Sequence, residues 1–250
     1  MKPKSSGRAT VAQAGGIMAA SLLLSRILGY VRDIVASAMF GQSEATDAYN
    51  LAFNVPDLIF FLIAGGALSS AFIPVFTELL VKDEEDHAWD TFSTLLNFLF
   101  LVISAIVAVA WIFAPQLSHA IAPNAGPEQR ELVVQMARIL LPAQVAFFLG
   151  GLMFGTLYAR RKFAVPGLGP NIYNVGIICG AILLSGFFTP GVVGMSWGAT
   201  IGAFLGNIVV PFIAMLSIGG RWRPVINLRL PGVRKVFRMD VRFFRDAAAV

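Results

Sequence analysis

Apolar residues run through this chain in stretches near 20 residues long, separated by short polar segments. The runs predict six membrane-crossing helices at about 11–40, 48–80, 91–114, 131–158, 168–188 and 192–218. At 1.5 Å per residue, about 20 residues cross a hydrocarbon core of roughly 30 Å. The first two runs are longer than this, so they must tilt, bend or project from the bilayer. Proline supplies the bends: Pro56 and Pro74 interrupt the second run and Pro142 the fourth. Each removes a backbone donor and frees a carbonyl that only a protein-lined or wet cavity can satisfy, which predicts a transport pathway. The pattern divides the chain into a polar terminus at 1–10, a six-helix transmembrane lobe at 11–218 and a basic cytoplasmic or interfacial segment at 219–250.

Composition agrees with an all-α polytopic membrane protein. Hydrophobic residues make up 57% and charged residues 13%, and the mean hydropathy is +0.74. A soluble domain carries about 25% charged residues, so this chain cannot cover itself with a polar surface. Lys2, Lys4 and Arg8 before the first run superficially resemble a signal peptide. The run is too long for one, contains charges and offers no small-residue cleavage site. A single cysteine, Cys179, gives no disulfide framework or metal site and is expected to be a small buried hydrophobe.

The loops fix an orientation. With a cytoplasmic amino terminus, that side receives Lys2, Lys4, Arg8, Lys82, Arg160, Arg161, Lys162 and all eight basic residues after position 220, against Arg130 outside. The loop at 82–86 is acidic as well, but acidic residues weigh little in this rule. The net charge of +5 thus reflects membrane orientation and gives no reason to expect a nucleic-acid partner.

Candidate chemistry lies inside the first run, where Arg26, Arg32 and Asp33 interrupt apolar sequence. A charge at mid-bilayer costs about 2.5–3.5 kcal/mol on insertion scales, whereas a leucine returns about 0.3–0.6. Helical spacing puts Ser25, Gly29 and Arg32 on one stripe and Arg26, Gly29 and Asp33 on its neighbour, with Gly29 leaving room for a small anion. Arg26 lies too deep for easy snorkelling and reads as functional. Arg32 and Asp33 fit either a structural ion pair or a ligand site. Guanidinium suits pyrophosphate, since its planar fork donates two parallel hydrogen bonds and keeps its proton. A proton relay would place Asp, Glu or His within the spans, but His87 and His119 fall in loops. No nucleotide-binding, hydrolase or metal-ligand motif occurs, so no enzyme, cofactor or metal is expected.

The stretch from Ser25 to Asp33, followed by Phe40-Gly41 and Ala45-Thr46-Asp47-Ala48, resembles the first helix and loop of the MurJ (MviN) lipid II flippases. Asn54-Val55-Pro56-Asp57-Leu58 and the stretch from Gly66 to Pro74 resemble that family's second helix. The stretch from Ala159 to Pro166 resembles the loop before its fifth helix, and Ser196-Trp197-Gly198-Ala199 its sixth.

The resemblance implies a multidrug/oligosaccharidyl-lipid/polysaccharide exporter fold of fourteen helices, in which two six-helix lobes rock about a cationic cavity. It further implies lipid II as substrate and the bacterial inner membrane as location. Arg26 and Arg32, with Ser25 beside them, would bind the pyrophosphate, and Asp33 and Asp47 would act at the outward gate. Gly29, Pro56, Gly65 and Gly66 would serve helix breaks and packing. Phe60 stands where the family usually has a third cavity arginine, and Gly65 where it usually has a glutamate, so the cationic site is thinner here. The chain would be the amino-terminal lobe, partnered by membrane lipids and by a second lobe or another copy. The alternatives are a flippase for another polyprenyl-linked oligosaccharide, a drug exporter of the same superfamily and a truncated non-transporting interaction module. A drug exporter needs an acidic interior, and this one is basic.

Overall fold

The computed structural model describes residues 6–64 and 68–247, with side chains placed over 15–61 and 71–239. Twelve α-helices follow one another, and there is no strand among the described residues. Helix α1, Ser6–Phe40, runs for 35 residues, a length of about 52 Å. It ends at Gly41, whose φ of +64° is a left-handed cap that a side chain would strain. Ser43 then accepts from the Thr46 backbone N–H at 3.3 Å and starts α2, Glu44–Ala52. Helices α3, Asn54–Ala64, and α4, Leu68–Val81, complete the region of the second apolar run.

Four stretches are long and apolar enough to cross a membrane among the described residues: Glu85–Ile112, Pro127–Ala159, Ala164–Phe187 and Val193–Ser217. They correspond to the third through sixth runs. Among the described residues the second run holds α2, α3 and α4. Its first break falls at Phe53, and Pro56 occupies the opening turn of α3, where its missing N–H costs little. The positions expected to break or pack that run, Gly65 and Gly66, lie outside the described residues.

The remaining elements are α5, Glu85–Ile112; α6, Ala114–Ile121; α7, Pro127–Leu140; α8, Ala143–Ala159; α9, Ala164–Cys179; α10, Val193–Phe204; α11, Val210–Ser217; and α12, Pro231–Ala247. Pro142 separates α7 from α8 as its chemistry demands. Near that break, Thr200 on α10 donates its hydroxyl to the Ile139 carbonyl at 2.6 Å. Thr200→Val is therefore expected to lower stability by about 0.5–1.5 kcal/mol, read by thermal unfolding of the detergent-solubilised protein. An unchanged midpoint would show that this bond does not support the broken helix.

Helices α9 and α10 approach closely because glycines face each other. A methyl group built on Gly176 would meet the Gly198 carbonyl oxygen at 2.6 Å and the Gly202 Cα at 2.7 Å. Gly155 likewise lies against Phe72. Cys179 is off the packed face and exposed, contrary to the expected burial. The core is aromatic where α4 meets α5: Phe72, Phe76, Trp89 and Phe92 are buried with successive ring centroids 5.1, 5.2 and 5.8 Å apart.

One end of the lobe gathers the basic loops. Arg160 pairs with Glu85, Lys82 and Lys235 both pair with Glu78, and Arg221 pairs with Asp86 at 2.6 Å. From there the chain is strapped along α5. Asn97 donates to the carbonyls of Arg223 and Val225, Ser93 and Thr94 accept from the backbone of Arg223 and Asn227, and Trp222 donates to Asn97. The strap delivers α12 onto α4 and α5, burying Val233 and Val236.

Candidate functional site

Helix α1 packs chiefly along α9, and their contact is a ladder of polar side chains inside otherwise apolar sequence. At its lower rung Asn171 donates to Ser21 Oγ at 2.8 Å and to the Gly167 carbonyl at 3.0 Å, while Ser21 donates to that same carbonyl. One turn on, Asn174 Nδ2 faces the Ser25 carbonyl and hydroxyl, each at 3.4 Å, and the Pro170 carbonyl at 3.1 Å. Three acceptors around Nδ2 leave Oδ1 as the atom that meets Arg32, whose Nη1 donates to it at 3.3 Å. Asn174 is buried, so this amide is a fixed strut between Ser25 and Arg32.

The guanidinium of Arg32 is held on a second side. Its Nε donates to Asp33 Oδ1 at 2.9 Å, and Nη2 lies 2.9 Å from the same oxygen in an ion pair. With Nη1 on Asn174, three of the five guanidinium N–H groups make no hydrogen bond among the described residues. The Asp33 side chain is 64% exposed, and an exposed pair contributes only about 0–1 kcal/mol. An incoming oxyanion can therefore replace the carboxylate at small cost.

Arg32 and Asp33 open into a cavity of about 500 Å³ whose wall includes Ser37, Thr46, Tyr49 and Asn50. Met195 of α10 and Phe53 supply apolar surface beside them. Helix α2, started by the Ser43 cap and packed on α7, brings Thr46, Tyr49 and Asn50 to this wall. Nothing lies within 4 Å of a methyl group built on Gly29, so the helix surface one turn from Arg32 is open, as the sequence suggested.

The candidate residues do not all converge. Ser25 and Arg32 are joined through Asn174, and Asp33 joins them through Arg32. Arg26 is exposed and has no ion-pair partner among the described residues. Six positions before Arg32, it lies about 120° away round the helix. Asp47 is exposed on α2 and is not in the cavity wall, although its neighbour Thr46 is. Phe60, 42% exposed, packs its ring tilted against Phe148 at 5.8 Å and edge-on to Phe61 at 6.3 Å, making an aromatic surface of α3 and α8. Asn171 and Asn174 were not singled out from sequence. Their signal was two amides three apart in an apolar run, which puts both on one face. Among the described residues no group of His, Cys, Asp or Glu could hold a metal ion.

A family model described as lipid II flippase MurJ matches residues 36–244 of this chain. The probable lipid II flippase MurJ of Rickettsia prowazekii is 31% identical over 230 residues, covering 91% of this chain and 45% of that protein. The corresponding protein of Buchnera aphidicola subsp. Acyrthosiphon pisum is 29% identical over 199 residues, covering 78% and 39%. Among solved structures, a lipid II flippase MurJ in an inward closed conformation aligns with a TM-score of 0.68 at 27% identity, over 90% of this chain and 47% of that one. A MOP superfamily transporter from Pyrococcus furiosus shares the fold, with a TM-score of 0.69 at 16% identity over 94% and 51%. The chain spans less than half the length of these curated relatives.

Proposed function

The chain belongs to the lipid II flippase MurJ family, and from that membership we propose that it forms the amino-terminal lobe of a flippase for lipid II in the bacterial inner membrane. The observation that carries this reading is the Arg32 guanidinium, oriented by Asn174 and Asp33 at the wall of a 500 Å³ cavity with N–H donors to spare. A pyrophosphate needs such a fork: permanently charged, planar and able to donate in parallel. The carrier does no covalent chemistry. It binds the head group, shields it from hydrocarbon and exposes it alternately to each side.

In this account the pyrophosphate displaces Asp33 from Arg32, the sugar and peptide occupy the cavity, and the polyprenyl chain stays in lipid. Ser25 acts through Asn174, holding the strut that aims Arg32. Arg26 faces a different side, where it meets substrate once a second lobe encloses the cavity. Asp33, released from Arg32, and Asp47 on α2 are available to pair across the outward gate. The basic end of the lobe, with Lys82, Arg160, Arg161 and Lys162, faces the cytoplasm. That places the amino terminus and the 219–250 segment inside, and Arg130 and the Arg32 cavity toward the outer side.

Competition between lipids tests the substrate. Purified protein is expected to retain lipid II about tenfold better than phosphatidylglycerol, the gain from roughly one further charge-assisted hydrogen bond. Equal retention of the two lipids would overturn the assignment.

A further inference from the structure

A second cationic cavity lies well away from Arg32, on the surface of α12. It has a volume of about 510 Å³ and is lined by Arg229, Pro231, Arg234, Lys235, Arg238 and Met239. Lys235 is paired with Glu78, whereas Arg229, Arg234 and Arg238 are exposed and pair with no carboxylate among the described residues. Arg234 and Arg238 are four apart on one helix, an arrangement of like charges that weakens the helix unless an anion lies between them.

The apolar face of α12 is already used over its part up to Met239. Val233 and Val236 are fully buried, and Phe237 meets Phe98 edge-on at 5.7 Å. An amphipathic helix that holds to a membrane by inserting its apolar face needs that face free. Here the lobe covers it, and the strap along α5 together with the Lys235–Glu78 pair fixes the arginines in place. Attachment to lipid by this part of the helix therefore runs through charge.

We propose that the α12 cavity binds the phosphate head group of an anionic glycerophospholipid of the cytoplasmic leaflet. The leaflet follows from the contacts that put α12 beside Glu78, Lys82 and the start of α5, at the end gathering the basic loops. Anionic lipid is attracted to such clusters. Pro231 and Met239 add apolar wall for the glycerol backbone, which a free phosphate would not use. The inference rests on the cytoplasmic orientation of this end and does not depend on what the Arg32 cavity carries.

Native mass spectrometry of the purified protein with phosphatidylglycerol, phosphatidylcholine, inorganic phosphate or undecaprenyl pyrophosphate tests it. The expected result is a preference for phosphatidylglycerol over phosphatidylcholine of about fivefold per arginine engaged, weakening with added salt. Combined Arg229→Gln, Arg234→Gln and Arg238→Gln should remove the preference with the melting temperature and lipid II retention unchanged. Arg234→Lys with Arg238→Lys should keep part of it, which guards against a glutamine variant that fails to fold. An undiminished preference in the glutamine variant overturns the proposal. So does competition by inorganic phosphate as strong as that by the lipid, or binding there of undecaprenyl pyrophosphate in preference to phosphatidylglycerol.

Discussion

Arg32→Ala is expected to weaken lipid II binding by about 10- to 100-fold, the equivalent of roughly 1.5–3 kcal/mol for hydrogen bonds to a charged group. The side chain is the one cation in the described part of the lobe that combines a cavity wall, a buried strut and free N–H donors. Removing it leaves Asp33 as an uncompensated negative charge against the incoming pyrophosphate, so the loss exceeds that of the contacts alone. Arg32→Lys keeps the charge but cannot donate two parallel bonds, and should recover only part of the affinity. Titration of purified variants with a fluorescent lipid II, alongside thermal unfolding, reads both effects. Affinity within threefold of the parent for Arg32→Ala would remove Arg32 from the binding site.

Asn174→Leu is the second large effect. The swap keeps the volume but deletes an amide that holds Ser25, Pro170 and Arg32 together. A buried polar atom left unpartnered costs about 1–3 kcal/mol. The Ser25 hydroxyl and one N–H of Arg32 both lose their partner in this variant. Stability should fall by about that amount and lipid II affinity by about tenfold, because the guanidinium can then rotate onto Asp33 alone. A purely structural amide would lower the melting temperature without moving the affinity of the protein that stays folded, and that split decides its role.

Much of this was legible in sequence wherever a residue contrasts with its surroundings. The third to sixth apolar runs became membrane-length stretches because burial in lipid demands continuous apolar surface, which length alone reveals. Arg32 stood out because a charge inside such a run is costly. The second run reads as interrupted at Pro56 and Pro74, yet its first break falls at Phe53, beside the edge-on pair of Tyr49 and Phe53 at 5.0 Å, which leaves no mark on hydropathy. Asn174 passed unnoticed because a neutral amide disturbs hydropathy little, and its role depends on α9 docking against α1, which no periodicity encodes. Cys179 was expected inside because cysteine is apolar. In a membrane protein the outer surface is apolar too, so hydrophobicity does not separate core from lipid face, and Trp111 and Phe187 are exposed for the same reason.

The most direct test of the account is to place a photoreactive residue at Ser37, in the wall of the Arg32 cavity, and to identify what it captures in living cells. A second probe at Ile106, exposed on α5, serves as the lipid-facing control. The account predicts lipid II on the Ser37 probe, reduced when Arg32 is alanine, and ordinary phospholipid on the Ile106 probe. Phospholipid alone on both probes would contradict it.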